Sequence, residues 1–388
     1  MGRQTTIVLM VGPLPPPYSG PEISMKLFME SGLKERFELH FVKTNLRKDN
    51  VNKGKLDISG FLSIIRFYLC LLWQLIIHRP KLVYYPVTPT ASGWLFRDAP
   101  TLLLCRLLRI RSVIHLRGSH FMLNYQTFSR CVQRIIRKAI SKVSLAIVQA
   151  DYLHEEFATF LPPERIKTLY QAINISEFPV NREISEKGKV LFMGHLTHAK
   201  GYCDTLRAME LVLEKCPNAQ FYFAGNMRKG ERGVFFDQAS GKKLTYEDPF
   251  ECTKQLLATN AGKHYHNLGI ITGEDKLRHL QSCEVFLSPS YSEGFSRSLL
   301  EAMTVGKALV YTPVGAHREV LHDGVNGIKI LPGDVEALAD SIVQLLTDAP
   351  LRKSMEATNS QYARNSFENE VISQQLGNMF EETIACPL

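Results

Sequence analysis

Apolar residues recur along this chain in short runs separated by longer stretches of helical spacing, and the alternation passes through two cycles. The first cycle predicts strands at Ile7 to Val11, Glu38 to Val42, Leu82 to Tyr85, Ser112 to Leu116 and Leu145 to Val148. A polar stretch, Asn181 to Lys189, follows. The second cycle predicts strands at Val190 to Met193, Gln220 to Ala224, Leu268 to Ile271, Val285 to Leu287 and Ala308 to Tyr311. Strands that alternate with helices imply parallel sheets covered on both faces, so the pattern predicts two Rossmann-like domains in series. Ligands of such sheets bind at the carboxyl ends of the strands, here in a cleft between the two domains.

The length of 388 residues agrees, because one core rarely supports so long a chain, and 45% hydrophobic content suffices for two. The longest apolar stretch, Phe61 to Ile77, is interrupted by Arg66 and is shorter than the ~20 residues a membrane span needs. It reads as a buried helix of the first domain, with a membrane-embedded segment as the alternative. The eight cysteines show no CxxC pair and no metal-ligand spacing, which fits reduced thiols in a cytoplasmic protein. The apolar run in the first residues is too short for a secretory signal and reads as the first buried strand.

Net charge is +8, and ten Lys or Arg residues lie between Arg97 and Lys142 against Asp98 alone. No stacking motif, helix-turn-helix or zinc pattern accompanies them, so nucleic acid is not the expected partner. The choice is between a solvated helix face and peripheral contact of the 97-142 region with an anionic membrane, such as the inner face of the plasma membrane.

The stretch SPSYSEGFSRSLLEAM, Ser288 to Met303, carries the most chemistry. Turn formers follow the apolar run, and Leu299, Leu300 and Met303 then fall at helical spacing, so the order is strand, loop, helix. A helix starting near Ser296 directs the amides of Ser296, Arg297 and Ser298 toward an anion such as phosphate. Glu301 then lies about 7 Å further along the axis from that start, and Glu293 stands in the loop before it. Two carboxylates flanking an anion site suit a sugar nucleotide, one meeting the sugar and the other the ribose. A second candidate is Gly194-His195-Leu196-Thr197-His198-Ala199-Lys200-Gly201 after the predicted strand Val190 to Met193. There glycine admits close approach of a ligand, and Lys200 offers a cation to diphosphate oxygens.

These segments together resemble the retaining glycosyltransferases of family 4, the GT-B enzymes of glycosyl transferases group 1. Pro289, Ser290, Glu293, Gly294, Phe295, Leu300, Glu301, Ala302 and Met303 match the signature of two glutamates separated by seven residues, and Ser296 replaces the more usual glycine. The segment from Gly194 to Gly201 is similar to the family's diphosphate clasp, with Lys200 matching its lysine and His195 standing where arginine is usual. An imidazole there is charged only below its pKa, near ~6.5 when unperturbed, which predicts pH-sensitive diphosphate binding. Phe223-Ala224-Gly225 with Asn226, then Gly273 with Leu277, resemble the family's nucleotide-side segments. Pro313 to Ala316, Glu319 and Asp323 to Gly327 resemble its glycine-rich return. The stretch from Asn226 to Gly262 is longer than usual and has no assigned role.

In the first half, Gly12 to Pro21 resembles the loop over the donor phosphates, with Gly20 and Ser19 near the reacting centre, although Pro21 removes one backbone donor. His115, Arg117 and His120 lie where the family has a histidine beside the transferred sugar. Alternation assigns His115 to the core, leaving Arg117 and His120 for the site. The resemblance implies an acceptor domain at 1-182, a nucleotide-sugar domain at 183-365, and a terminal helix at 366-388 crossing back to the first domain. It implies retaining transfer from a UDP- or GDP-sugar to a glycan or lipid-linked acceptor, in cell-surface polysaccharide or glycolipid synthesis. The transferred sugar would be a hexose or an acetylated aminosugar. The nucleotide sugar is a substrate, and no cofactor or metal is expected, since the Asp-x-Asp metal motif of the other main glycosyltransferase fold does not occur. Glu293, Lys200, His120 and Arg117 are the catalytic candidates. The alternatives are a donor-binding scaffold without turnover and a 2-epimerase of the same architecture.

Overall fold

The computed structural model describes residues 6–16, 20–44, 58–181, 183–228, 237, 241–243 and 245–386. Ser19 and the greater part of 229–244 lie outside the described residues. The chain divides into two compact units, one of residues 1–173 with 369–388 and the other of residues 174–368.

The first unit holds strands β1 (Thr6–Gly12), β2 (Phe37–Lys43), β3 (Leu82–Val87), β4 (Arg111–Leu116), β5 (Leu145–Val148) and β6 (Ile166–Thr168), in the order β2-β1-β3-β4-β5-β6. Every neighbouring pair is parallel. The central strands bury both faces, as the run Val8 to Val11 shows, because helices cover a parallel sheet above and below. β6 is only three residues long, too short to leave a pattern in the sequence. The last helix, Asn369–Ala385, belongs to this unit. Its Ile372, Leu376 and Phe380 enter the core beside Phe37 and Tyr84. Arg36 fixes the same helix through Glu381 and Asn378.

The apolar stretch read as a buried helix is a surface helix instead. It runs as helix Ile58–Trp73 and continues through the wider turn Gln74–His78. Phe67, Leu71 and Leu75 are buried, whereas Leu62, Leu69, Trp73, Ile76 and Ile77 are all more than half exposed. Among the described residues no helix is long and apolar enough to cross a membrane.

The second unit repeats the plan with β7 (Lys189–Met193), β8 (Gln220–Ala224), β9 (Tyr265–Gly269), β10 (Val285–Ser288), β11 (Ala308–Tyr311) and β12 (Gly327–Lys329), in the order β12-β11-β10-β7-β8-β9. β9 starts earlier than the predicted strand, because backbone pairing with β8 recruits polar Tyr265, His266 and Asn267 at the sheet's edge. Strand order reverses between β7 and β10, which are adjacent and parallel. The loops leaving their carboxyl ends therefore lie side by side at the topological switch point, where ligands of such sheets bind.

Candidate active site

Two close backbone approaches build the switch point. Gly201 takes a left-handed φ of 73°, and a Cβ there would stand 2.1 Å from the carbonyl oxygen of Pro289. Only glycine permits that contact. With Tyr291 N donating to the Ala199 carbonyl at 2.9 Å, it holds the turn after β7 against the loop after β10. At Gly225, φ is 151° and a Cβ would meet the Gly194 carbonyl oxygen at 1.6 Å, so β8 ends tightly against the same turn.

Lys200, in the short turn His198–Lys200, thereby reaches Glu293, with Nζ 2.6 Å from Oε1. Ser290 Oγ donates to the same oxygen at 2.9 Å. Burial opposes ionisation of Glu293, but Lys200 and the Ser290 hydroxyl outweigh it and hold the carboxyl below its usual range. Glu293 is thus an anion in this site, largely shielded from water. Gly294 lies in the same loop, its carbonyl accepting from Ala316 N at 2.7 Å.

His195 is open to solvent at the rim of this cluster. Crowding by the protein, then the charges of Arg228 and Lys200, depress its pKa to about 4, with Glu293 acting in the opposite sense. Water screens part of that repulsion, yet every larger contribution favours the neutral ring. The expected titration near 6.5 is therefore displaced downward, and His195 is a neutral donor or acceptor at pH 7. Arg228, at the edge of the long stretch after β8, is a cation the motif comparison passed over. The basic run Arg228-Lys229-Gly230-Glu231-Arg232 is the sequence signal that could have drawn attention to it.

His317 lies behind Glu293, fully buried, with its pKa lowered to about 4 by burial against a smaller opposing pull from Glu293. An unfolded histidine titrates near ~6.5, so between these values the unfolded chain binds the proton and the folded one does not. The stability held by His317 is therefore complete above about pH 6.5 and is lost as pH falls toward 4, on the order of 3 kcal/mol in total. Urea melts between pH 7 and 4.5 should show this slope, and His317→Gln should flatten it. An unchanged slope in the variant would place the titration elsewhere.

The helix after β10 runs Arg297–Thr304, with Ser296 as its N-cap, Oγ accepting from Leu299 N at 3.4 Å. The amides of Arg297 and Ser298 precede the first intrahelical bonds and sit at the positive end of the dipole. The Ser296 and Ser298 hydroxyls lie 3.2 Å apart. Glu301 is on this helix, nearly buried, and Lys276 Nζ is 2.9 Å from its Oε1. Lys276 itself lies over the Phe178 ring at 5.0 Å. No motif flagged Lys276. It comes from helix Gly273–Ser282, which Gly273 opens with a φ of 56° and in which Leu277 is half-buried. The Asn226 carbonyl accepts from Leu196 N at 3.2 Å, linking the ends of β7 and β8. Phe295 departs from the expected role, since its ring packs between His317 and Phe367 in the interior.

In the first unit, Gly20 opens helix Gly20–Glu30, with Pro21 in the first turn, where its missing N–H costs nothing. His115 is fully buried and its Nδ1 lies 2.7 Å from the Tyr84 hydroxyl, in keeping with a core role. Arg117 is tied to Tyr84 at 3.2 Å and Gln171 at 3.5 Å and lies over Phe28. His120 sits at the head of helix Phe121–Thr127 with a left-handed φ of 66°. Glu156 accepts from the amides of His120 at 2.7 Å and Met122 at 2.6 Å, which stabilises that unusual backbone.

Residues 174–362, nearly the whole second unit, match the family model for glycosyl transferases group 1. The second unit belongs to that family. An uncharacterized glycosyltransferase of Methanocaldococcus jannaschii is 26% identical over 237 residues, covering 57% of this chain and 55% of that protein. A phosphatidyl-myo-inositol mannosyltransferase of Mycobacterium leprae is 28% identical over 194 residues, covering 50% of this chain and 46% of its own length. The chain spans about half the length of the curated relatives it matches. Among solved structures, HepE of Anabaena in complex with UDP aligns with a TM-score of 0.72 at 17% identity over 97% of this chain and 100% of that one. Sucrose-phosphate synthase from Thermosynechococcus elongatus aligns at 0.74 and 15%, over 98% and 99%. At such identities these likenesses speak for the fold, and the chain has the GT-B fold.

Proposed function

We propose that this group 1 protein is a retaining glycosyltransferase that moves a sugar from a UDP- or GDP-sugar to a hydroxyl of a glycan or lipid-linked acceptor. The observation that carries the reading is the Lys200–Glu293 pair at the switch point, with Glu301 on the helix that the same loop opens. A sugar nucleotide offers hydroxyls at one end, ribose hydroxyls toward the other and diphosphate between. Glu293 would orient the sugar, Glu301 the ribose, and Lys200 with the amides of Arg297 and Ser298 would stabilise the departing diphosphate. Arg228, near His195, would add the second positive charge that the histidine lacks. On this reading transfer needs no protein nucleophile, and the acceptor attacks on the face from which diphosphate leaves. HepE's complex with UDP and the mannosyl- and N-acetylgalactosaminyltransferases among the relatives support the donor class.

Calorimetric titration with UDP, GDP and ADP, with and without magnesium, tests the donor assignment. Micromolar binding of one nucleotide, unchanged by magnesium, is the expected result. Binding without any turnover on candidate acceptors would favour a scaffold, and binding of none would overturn the reading. An epimerase should release the free 2-epimer of the sugar from its nucleotide without acceptor.

The first unit supports action at an anionic membrane surface. Leu62, Ile65, Leu69, Trp73 and Ile76 form one exposed apolar face of the helix beginning at Ile58. Tyr68 ties that helix to the carbonyls of exposed Phe96 and of Arg97. The basic stretch divides in two. Arg97 is spent internally on Asp98 and the Tyr85 ring, and Arg117 on Tyr84. Arg106, Arg109, Arg130, Arg134, Arg137, Lys138 and Lys142 remain exposed. An apolar stripe beside exposed cations is the pattern of a helix lying in the headgroup region. Co-sedimentation with phosphatidylglycerol vesicles should fall at least ~10-fold in Leu69→Glu with Trp73→Glu and weaken with salt. Equal binding by the variant would remove this face from membrane contact.

A further inference from the structure

Folding of the second unit gathers four metal-ligating side chains from two distant segments, none of them assigned to the donor. His198 comes from the turn before Lys200 and Cys203 from the start of helix Tyr202–Lys215. Glu247 precedes helix Pro249–Leu257, and Cys252 lies in that helix's first turn. One ligand atom from each of His198, Cys203 and Glu247 lies within 4.8 Å of the other two. Cys252 Sγ stands 2.7 Å from Cys203 Sγ and 3.8 Å from Glu247 Oε2. His198 is almost wholly buried, and its Nδ1 makes no hydrogen bond, an unmet demand inside the cluster's own wall.

The donor set decides which ion suits the site. Two sulfurs, an imidazole nitrogen and one carboxylate oxygen fit a borderline-soft, four-coordinate ion such as Zn²⁺, whereas magnesium and calcium require oxygen ligands. Two sulfurs and the Glu247 carboxylate are thus crowded together where a dication would relieve the crowding. Arg207 pairs with Glu247 Oε2 and with Asp204 and is half exposed, so it can turn outward or leave the second carboxylate oxygen to the ion.

We propose that His198, Cys203, Cys252 and Glu247 form a structural zinc site. The ion replaces the two thiol protons, and thiolates bound at ~2.3 Å spread the sulfurs to about 3.8 Å apart. Zinc would then pin the turn that carries Lys200 to the second half of the long stretch between Asn226 and Gly262, without touching substrate. No sequence motif announces it, because its ligands come as two pairs, His198 with Cys203 and Glu247 with Cys252, that lie far apart in the chain.

The full chain, stripped with a chelator under reducing conditions, is titrated with Co²⁺ and then Zn²⁺. One equivalent of cobalt with thiolate charge-transfer absorption, displaced by zinc, is expected. Zinc should slow alkylation of Cys203 and Cys252 at least ~10-fold, as read by peptide mass spectrometry, while exposed Cys131 reacts equally in both forms. Cys252→Ser should weaken metal binding ~100-fold or more, and Cys131→Ser should not change it. Absent charge-transfer absorption, absent protection, or unchanged affinity in Cys252→Ser would each overturn the site. So would a Cys203–Cys252 disulfide that forms as readily with zinc present. The wild-type titration stands even where a variant folds poorly.

Discussion

Lys200→Ala is expected to lower kcat by ~100- to 1,000-fold while changing donor affinity far less. The asymmetry follows from the pairing in the free protein. Lys200 already faces Glu293 at 2.6 Å, so bringing in the donor exchanges one anionic partner for another, with modest net gain. On the proposed function, charge would accumulate on the diphosphate only as the glycosidic bond breaks, and that is when the ammonium would act. Removing it also takes the cation away from buried Glu293, so its carboxyl pKa should rise and the remaining activity should increase with pH as the carboxylate forms. Steady-state kinetics with nucleotide titration on one preparation separates the two effects. Equal kcat in variant and wild type would remove Lys200 from the chemistry.

Glu301→Ala should act on the other side of that division, weakening nucleotide binding ~10- to 100-fold, the range of one or two hydrogen bonds to a charged group. Its consequences extend to Lys276, which is left without its carboxylate in a half-buried position. Lys276→Met poses the converse problem, a nearly buried carboxylate deprived of its cation, and should also weaken binding although it touches no ligand. Because both variants break the same pair, the double variant should cost much less than the sum of the two. Additive losses would mean that Lys276 and Glu301 act separately, and unchanged nucleotide affinity in Glu301→Ala would end its assignment to the ribose.

The sequence discloses these residues unevenly, for physical reasons. The buried strands β1, β3, β4, β7, β10 and β11 are legible because both faces are apolar and each run ends in turn formers. β6 and β12 are three residues each and leave no period to detect. Lys200, Glu293 and Glu301 could be named beforehand since they sit in contiguous loop-to-helix motifs. Lys276 and Glu156 could not, as each acts on a residue distant in the chain and only folding reveals the partner. The helix beginning at Ile58 is apolar nearly all round, a pattern that reads as burial although one face of it is exposed. His195 shows a further limit. Its identity can be read from the chain, but the packing that keeps it neutral, and the cations of the turn and of the segment after β8 that add to it, come only with folding.

The contact between Gly201 and the Pro289 carbonyl also bears on which molecules the site admits. Since backbone rather than flexible side chains brings Lys200 to Glu293, the two charges are presented as a fixed couple. A bare polyanion that approaches the lysine is repelled by the carboxylate beside it, and a neutral sugar offered to the carboxylate finds it already matched. A molecule carrying hydroxyls and diphosphate at the right separation satisfies both at once. On the proposed function the couple would therefore work as a coincidence detector, favouring a sugar nucleotide over a free sugar or an inorganic phosphate.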